Sequence, residues 1–201
     1  ERYSGVSDKG SAMTAAFQLL QPGSVEQRPL RSVDRPDLEP DAGEITIDVA
    51  ACAVCRTDLQ IVEGDLPARR LPVVPGHQVV GRVRDVGDGV DQWHVGDRVG
   101  VAWLGGSGGV GSVCAAGREN LCDKAEFTGW DRDGGYAESM TARADFVFSV
   151  PSGFGDLEAA PLLCGGIIGF RSLRISGVEP GGRLGLYGFG ASALLTFQVA
   201  R

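Results

Sequence analysis

Apolar and polar side chains alternate along the first three quarters of the chain, in short runs that glycines separate. Residues 45–49 show the period of two that is typical of a half-buried strand. Runs rich in β-branched residues at 79–86 and 98–103, and shorter runs at 136–140 and 146–150, predict further strands. The glycines between them supply the positive φ angles and bulges with which a strongly curved sheet turns. We therefore predict an all-β barrel or sandwich for this part of the chain.

The pattern changes after the last predicted strand. Residues 156–163 and 165–175 follow a helical pattern, and Asp156 is the predicted N-cap. A short apolar run at 183–187 predicts a strand, and the helical segment 194–201 follows it. A single strand–helix unit has no neighbouring strand with which to pair. We therefore expect the chain to end inside its second domain.

These patterns divide the chain into four segments. Residues 1–12 are polar and aperiodic and precede Met13, so we interpret them as a leader outside the fold. The β domain is predicted at 13–150 and a helical connection at 151–182. The start of an α/β domain is predicted at 183–201.

Composition and charge exclude several classes of protein. The chain has 201 residues and a formal net charge of −7, from 19 basic and 26 acidic side chains. Its basic residues are scattered, which argues against binding to nucleic acid. No apolar run has the length of a membrane span, and no signal-peptide core is present. Five cysteines in such a chain favour a reducing compartment, by default the cytoplasm, where metal ligands and free thiols are commoner than disulfides.

A glycine-rich motif follows the predicted strand at 183–187. Gly188, Gly190 and Ala193 have the spacing at which a tight turn lets a pyrophosphate approach the backbone at a helix N-terminus. The residue that distinguishes NAD from NADP would lie about 20 residues further on, past Arg201. The alternative is a glycine-rich turn that binds no ligand, because the motif alone is weak.

Two cysteines and a histidine form the second candidate site. Cys55, His77 and Cys164 offer two thiolates and one imidazole, a ligand set of open zinc sites that leave the fourth position for water or substrate. They are far apart in sequence, so the fold would have to bring them together. Asp58 is expected to accept the second ring proton of His77. On spacing alone, a buried structural histidine with inert core thiols is the favoured interpretation.

The other cysteines give weaker signals. Cys114 and Cys122 lie in a glycine-rich loop, and two thiolates do not complete a zinc site. Two free cysteines are an equally good interpretation. Cys52 precedes Cys55 in a CxxC pattern without a thioredoxin-like context, so we interpret it as a bystander. His94 is interpreted as an ordinary surface histidine.

Five motifs occur in a fixed order along the chain. They are ACAVCRTDL at 51–59, VPGH at 74–77, VGDRVGV at 95–101, GRENLC at 117–122 and APLLCGG at 160–166. Together they resemble the zinc-dependent alcohol dehydrogenases of the medium-chain dehydrogenase/reductase superfamily. The resemblance extends from about Met13 to the end of the chain.

This resemblance implies a mixed fold. An all-β GroES-like barrel would be the catalytic domain at 13–150, followed by helices and by the first βα unit of a truncated α/β Rossmann domain from Arg183. The implied reaction interconverts an alcohol and an aldehyde or ketone, with Zn²⁺ and NAD or NADP as cofactors. The intact protein would be a homo-oligomer. The alternative is a truncated, non-catalytic GroES-like fragment or pseudoenzyme that at most binds zinc.

The resemblance also implies roles for single residues. Cys55, His77 and Cys164 would be the ligands of the catalytic zinc. Thr57 would supply the hydroxyl between the zinc-bound alcohol and the proton relay. Arg56 would lie near the pyrophosphate of the cofactor.

Two positions near this site depart from the family pattern. Gln78 stands where the family usually has glutamate, and we expect it to tune the zinc site without removing it. Gln60 stands where many members have a histidine that passes the proton to solvent, so the relay must use another route. Trp103 and Phe127 are candidates to line the substrate pocket.

A third departure affects the lobe in which the family binds a structural zinc with four cysteines. The corresponding positions in this chain are Gly108, Gly111, Cys114 and Cys122, so two of the four ligands are missing. We expect no complete tetrahedral site there. The lobe should be looser than in its relatives, because structural zinc contributes directly to folding.

Overall fold

The computed structural model describes residues 13–201, and the predicted leader at 1–12 lies outside the described residues. The strands are β1 Met13–Leu19, β2 Leu30–Pro36, β3 Glu44–Cys52, β4 Val79–Val86, β5 Arg98–Val101, β6 Leu104–Gly106, β7 Glu126–Phe127, β8 Ser139–Arg143 and β9 Val147–Ser149. The helices are α1 Arg56–Glu63, α2 Ser112–Ala115, α3 Asp156–Ala159, α4 Gly165–Ser176 and α5 Ala191–Ala200. Within residues 13–201, no helix has the length and apolarity that crossing a membrane requires.

A curved antiparallel sheet forms the main body, with strand order β8-β3-β4-β5-β9. The register of β3 against β4 shifts between Thr46 and Ile47 and again between Val49 and Ala51. Such irregularities increase the local twist, so the sheet curls around its apolar face. The buried side chains of this core include Ile45, Ile47, Val79, Val83, Val99 and Met140. The predicted curved β domain is confirmed.

A second, smaller core lies beside this sheet. β1 and β2 pair antiparallel, and β1 is attached to the loop before β4 by backbone hydrogen bonds between Leu19 and Val73. Leu19, Val73 and Ile61 of α1 are fully buried there. Trp130 belongs to the same core and is almost completely buried. This core fixes α1 against the sheet, and α1 carries several of the candidate site residues.

The β domain is not purely β, because α1 lies within it. The sequence analysis predicted only strands here and missed this helix of eight residues. The Asp58 side chain accepts a hydrogen bond from the Cys55 N–H at the start of α1, and Gly64 ends the helix with a φ of 89°. Asp58, Ile61 and Val62 are its buried residues. Strands β1 and β2 were also not predicted, and the strand expected at 136–140 lies three residues later, as β8.

The C-terminal part matches the prediction in its helices but not in its strand. Residues 183–187 form no strand, because no neighbouring chain segment among residues 13–201 pairs with them. The predicted N-cap Asp156 is also wrong. Gly155 is the N-cap and donates its N–H to Glu158, whereas Asp156 accepts a hydrogen bond of 2.8 Å from Arg98 in β5.

Helices α4 and α5 pack against each other through small residues. A Cβ added at Gly169 of α4 would lie 2.4 Å from Oγ1 of Thr196 in α5. The axes can approach this closely only because Gly169 has no side chain. At the start of α4, a Cβ at Gly165 would lie 3.6 Å from the backbone nitrogen of Ser192. The first turn of α5 therefore lies against the first turn of α4.

Candidate metal centre

The fold brings the three predicted zinc ligands together. The ligand atoms of Cys55, His77 and Cys164 all lie within 4.8 Å of one another, and the two sulfurs are 4.0 Å apart. With Zn–S bonds of about 2.3 Å in a tetrahedron, two ligand sulfurs lie about 3.8 Å apart. The observed spacing therefore suits a zinc ion. Among the described residues, this is the only group of three or more potential metal ligands whose atoms lie this close together.

Both thiols are placed by helix N-termini. Cys55 is the N-cap of α1, and Cys164 is the N-cap of α4. The unpaired N–H groups at a helix N-terminus carry a partial positive charge, which favours a thiolate over a thiol. The N-termini of α1 and α4 therefore favour the anionic form of both sulfur ligands.

His77 is held by a turn that requires glycine. Gly76 has a φ of 100°, and a Cβ there would lie 2.9 Å from the backbone nitrogen of Tyr136 and 2.8 Å from Sγ of Cys52. The neighbouring loop packs equally closely, since a Cβ at Gly134 would lie 2.0 Å from the carbonyl oxygen of Gly76. The sequence analysis did not assign Gly134 to the site. The adjacent glycine pair at 134–135 could have indicated this contact, because glycines allow this loop to approach the backbone of Gly76 closely.

Asp58 orients the imidazole and the first thiol together. One carboxylate oxygen lies 2.8 Å from Nδ1 of His77, and the other accepts a hydrogen bond of 2.8 Å from the backbone N–H of Cys55. The side chains are almost completely buried, with exposures of 1% for His77 and 2% for Asp58. A carboxylate partner fixes the proton on Nδ1, so Nε2 is left to bind a metal ion. The predicted hydrogen bond between Asp58 and His77 is confirmed.

The hydrogen bonds among these side chains favour a thiolate at Cys55 beside an imidazolium at His77. Hydrogen bonds from Cys164 and His77 lower the pKa of Cys55 to about 3. Donation of that hydrogen bond to Cys55 raises the pKa of Cys164. Burial lowers the pKa of His77, but the hydrogen bonds to Asp58 and Cys55 outweigh burial and raise it to about 9. Because zinc takes thiolates and neutral imidazole, its binding must release protons from this cluster.

Thr57 and Arg56 follow Cys55 on the first turn of α1 but have different environments. The hydroxyl oxygen of Thr57 lies 3.8 Å from Sγ of Cys55, and the side chain is half-buried. Arg56 is exposed and forms an ion pair of 3.8 Å with Asp65. The hydroxyl is therefore close to the metal ligands, whereas the guanidinium faces solvent.

An aromatic cluster closes one side of the centre. The ring of Trp103 meets His77 edge-on at a centroid distance of 4.9 Å. Trp103 stacks on Phe127 at 4.9 Å and on Trp130 at 5.9 Å, and Arg69 covers the outer face of Trp130 at 3.9 Å. These rings present an apolar wall beside the imidazole. Such a wall can exclude water and contact an apolar part of a substrate.

The glycine-rich turn begins α5 close to this centre. Gly190 is the N-cap of α5, and Gly188 has a φ of 82°, a conformation that side chains rarely adopt. Ala193 lies in the first turn of the helix and is half-buried. Since this turn of α5 packs on Gly165, the residue after Cys164, the motif lies next to the metal cluster.

Three further residues that the sequence singled out have structural or surface positions. Gln78 is buried and donates a hydrogen bond of 3.2 Å from its side-chain nitrogen to the carbonyl oxygen of Ala53. Burial raises the pKa of Cys52 to about 12, so this thiol is neutral. His94 is exposed, as predicted. None of these three side chains belongs to the metal cluster of the described residues.

The Cys114 and Cys122 thiols lie in the separate lobe between β6 and β7. Their sulfurs are 2.7 Å apart, and both cysteines are free. No third metal-binding side chain joins them among residues 13–201. Whether this lobe binds a metal stays a prediction.

Comparison with known proteins identifies the family. The model of the alcohol dehydrogenase GroES-like domain matches residues 41–152, which is more than half of the chain. The chain therefore belongs to this family. It is 50% identical over 200 residues to a Mycobacterium tuberculosis protein named Probable alcohol dehydrogenase AdhA, a match that covers 97% of this chain and 58% of that protein. The chain spans about half the length of the curated relatives that it matches.

Solved structures agree with this assignment. A cobalt- and zinc-bound thermostable alcohol dehydrogenase from Pyrobaculum aerophilum superposes with a TM-score of 0.85 at 26% identity, covering 94% of this chain and 56% of that chain. The structure of CAD from Helicobacter pylori complexed with NADP(H) gives a TM-score of 0.84 at 26% identity, with the same coverage. The chain is thus part of an alcohol oxidoreductase family with the medium-chain dehydrogenase fold.

Proposed function

We propose that this protein is a zinc-dependent alcohol dehydrogenase that interconverts an alcohol and an aldehyde or ketone with NAD or NADP. The observation that carries this proposal is the convergence of Cys55, His77 and Cys164, with Asp58 buried behind the imidazole. An unreactive core would not need two thiols at helix N-termini beside a histidine whose Nδ1 is held by a buried carboxylate. The cobalt- and zinc-bound alcohol dehydrogenase from Pyrobaculum aerophilum supports zinc as the metal.

Cys55, Cys164 and Nε2 of His77 would hold the zinc ion and leave its fourth position for substrate. Zinc, when bound, supplies a Lewis acid that lowers the pKa of the substrate alcohol. Asp58 keeps Nδ1 of His77 protonated and the ring oriented. Its second oxygen keeps the backbone of Cys55 in place through the N–H. The protein part of the centre is therefore preorganised.

Thr57 would accept the hydroxyl proton of the alcohol. Its oxygen is the side-chain hydroxyl beside Cys55, and its half-buried position allows contact with both a substrate and water. Trp103 would face the apolar part of the substrate, because its ring packs on the edge of His77. Gln60 cannot titrate, so the proton would leave through water.

The cofactor would bind at the start of α5. NAD(P), when bound, accepts or donates the hydride. Gly188 and Gly190 would allow its pyrophosphate to approach the N–H groups of the helix, and Ala193 would permit close packing. Arg56 is solvent-facing and free to turn from Asp65 towards a phosphate. The proximity of this turn to Cys164 would bring the nicotinamide towards the zinc.

The same proposal covers the domain organisation. Residues 13–150 would be the catalytic domain, 151–182 the connection and 183–201 the start of the cofactor domain. The substrate would be a small alcohol or aldehyde, and the intact protein a homo-oligomer. Location in the cytoplasm stays a prediction.

Metal content and turnover together test the proposal. Chelator-washed protein that is reloaded with zinc should retain about one ion per chain at this three-ligand site, and Cys55→Ala should lose it. Cys52→Ala is the matched control, since this thiol is neutral and outside the cluster. Zinc-loaded protein should then form NAD(P)H from primary or secondary alcohols, and Thr57→Val should lose turnover while retaining zinc. A folded chain without zinc would contradict the proposal.

A second candidate is that the chain binds zinc without turning over substrate. It is favoured by residues 183–187, which form no strand, and by the exposure of Gly188 and Gly190. A dinucleotide-binding turn normally stands at the edge of a paired parallel sheet. One zinc per chain, with no NAD(P)H formed from any alcohol, would favour this candidate.

A further inference from the structure

Residues 107–125, here called the cysteine lobe, contain two thiols that the proposed reaction does not use. Cys114 lies in α2, and Cys122 follows a 3-10 turn at 119–121. Local backbone hydrogen bonds fix both positions, from the N–H of Gly117 to the carbonyl of Cys114 and from the N–H of Ala125 to the carbonyl of Cys122. The backbone therefore holds the two side chains facing each other.

The distance between the thiols suits a disulfide better than a metal. Their sulfurs are 2.7 Å apart. Sulfur ligands of one zinc ion would be about 3.8 Å apart, and bonded sulfurs are about 2.05 Å apart. A small rotation of either side chain would bring the sulfurs into bonding distance, whereas a shared zinc ion would require them to separate.

The lobe backbone also opposes a metal site. Gly111 has a φ of 105°, so any other residue there would be strained. A Cβ at Gly108 would lie 3.0 Å from Cβ of Lys124. Cysteines at these two glycine positions would therefore require the loop to rearrange. The lobe has a conformation in which two thiols, and not four, can meet.

The two thiols differ in acidity. Cys114 donates a hydrogen bond to Cys122, and this bond, together with the backbone N–H groups of Lys124 and Gly108, lowers the pKa of Cys122. The same donation raises the pKa of Cys114. Cys122 is half-buried and lies at a shallow cleft of about 200 Å³ between Val110 and Lys124. The more acidic thiol is therefore accessible to a small reagent.

We propose that Cys114 and Cys122 form a reversible intramolecular disulfide that closes the cysteine lobe. The Cys122 thiolate attacks a low-molecular-weight disulfide such as glutathione disulfide, forms a mixed disulfide and releases one glutathione thiolate, which takes the Cys114 proton. The Cys114 thiolate then attacks Sγ of Cys122, forms the protein disulfide and releases the second glutathione as a thiolate, which takes from solvent the proton that Cys122 lost on ionisation. The protein loses two electrons and two hydrogens, and the glutathione disulfide becomes two thiols.

The disulfide would cross-link the lobe without a metal. It closes a short loop and restricts the unfolded ensemble of this segment, as a bound ion would in a four-cysteine lobe. The zinc cluster is unaffected, because Cys55 and Cys164 are 4.0 Å apart and each is placed by its own helix. The proposal is independent of the catalytic function.

Peptide mapping tests this proposal on the whole chain. The zinc-loaded protein is equilibrated in glutathione buffers from fully reducing to fully oxidising, quenched with acid, alkylated and digested with trypsin. Cys122 lies in the tryptic peptide 119–124 and Cys114 in the peptide 99–118. We expect these two peptides to be joined, two hydrogens lighter than their sum, in a fraction that rises with glutathione disulfide and reverses on reduction.

Cysteine variants and hydrogen exchange test whether the cross-link is specific to Cys114 and Cys122. Cys52→Ala should form the cross-link as the wild type does, whereas Cys122→Ser should leave Cys114 open to alkylation. Hydrogen exchange of residues 107–125 should slow in the oxidised wild type but not in oxidised Cys122→Ser. The proposal is overturned if both thiols remain alkylated in the most oxidising buffer or carry separate glutathione adducts. A second zinc ion that protects both thiols and is lost in Cys114→Ser would also overturn it.

Discussion

The chain has two pairs of facing cysteines that differ in their surroundings and not in residue type. Cys55 and Cys164 are 109 positions apart in sequence, yet their sulfurs lie at 4.0 Å with His77 beside them. Cys114 and Cys122 are eight positions apart, and their sulfurs lie at 2.7 Å without a third ligand among residues 13–201. The distant pair has the geometry of a metal site, and the local pair has that of a disulfide.

The difference shows what a zinc site needs beyond thiols. The distant pair has two helix N-termini and an imidazole whose orientation is fixed by Asp58. The local pair is placed by turns within one loop, where Ser107, Gly108 and Lys124 lie beside the thiols. In this chain, packing between distant elements holds Cys55 and Cys164 at the separation that a metal requires, whereas Cys114 and Cys122 lie closer together than that.

The largest expected effect is a difference in zinc binding between variants of the two cysteine pairs. His77→Ala or Cys164→Ser should weaken zinc affinity by about 1,000-fold or more, because each removes one ligand of three. Cys114→Ser should leave the zinc content unchanged. Mass spectrometry of metal content after dialysis against a chelator measures this. Equal loss of zinc in all three variants would show that the pairs share one metal.

Alanine at two glycines with similar positive φ angles should have unequal costs. Gly76→Ala places a Cβ against the Tyr136 backbone and should destabilise the fold by about 3 kcal/mol or more, with loss of zinc affinity. Gly111→Ala meets open space and should cost only the strain of its positive φ, about 1 kcal/mol. Urea unfolding of both variants measures the difference. Similar costs would mean that packing around His77 is looser than the structure shows.

The carboxylate behind the imidazole should have a smaller effect on zinc than a ligand has. Asp58→Asn should lower zinc affinity by about 10- to 100-fold, since it removes the charge that orients His77. Asp97→Asn is the matched control, because Asp97 contacts exposed His94 away from the metal. Competition with a fluorescent chelator measures both affinities. An unchanged zinc affinity in Asp58→Asn would show that the Asp58 carboxylate does not contribute to zinc binding.

The smallest expected effect concerns the local pair in its reduced state. Cys122→Ser should change the free energy of unfolding by less than about 1 kcal/mol, because it removes one thiol hydrogen bond in an exposed lobe. After oxidation, the wild type should gain about 2 to 3 kcal/mol from the closed loop, and the variant should gain nothing. Urea unfolding with and without reductant tests this. A large loss in the reduced variant would indicate that the thiols already share a ligand.

Elements with a clear sequence period were predicted well. The run at 79–86 forms β4 with the same bounds, and the alternation at 45–49 lies inside β3. The helical pattern at 165–175 forms α4, which Gly177 ends with a φ of 65°. In these segments the local preference and the tertiary environment agree.

Elements that depend on distant partners were predicted poorly. Helix α1 was missed because its eight residues are shorter than the window in which a helical period can be recognised. The strand at 183–187 was expected from its apolar run but has no pairing partner. Asp156 has the residue type of an N-cap, yet Arg98 of the sheet binds its carboxylate instead. A tertiary contact therefore prevailed over the local signal at Asp156, and a missing partner left the signal at 183–187 without effect.

The sequence alone determined the ligand types, their order along the chain and the family resemblance, because motif residues such as Cys55, His77 and Cys164 can be read without a fold. Only the tertiary structure decided that the three meet, that Asp58 fixes the imidazole and that the Cys114 and Cys122 thiols face each other. The physical reason is that a ligand set is defined by distances and directions. These arise from helices packed on a curved sheet by residues far apart in sequence.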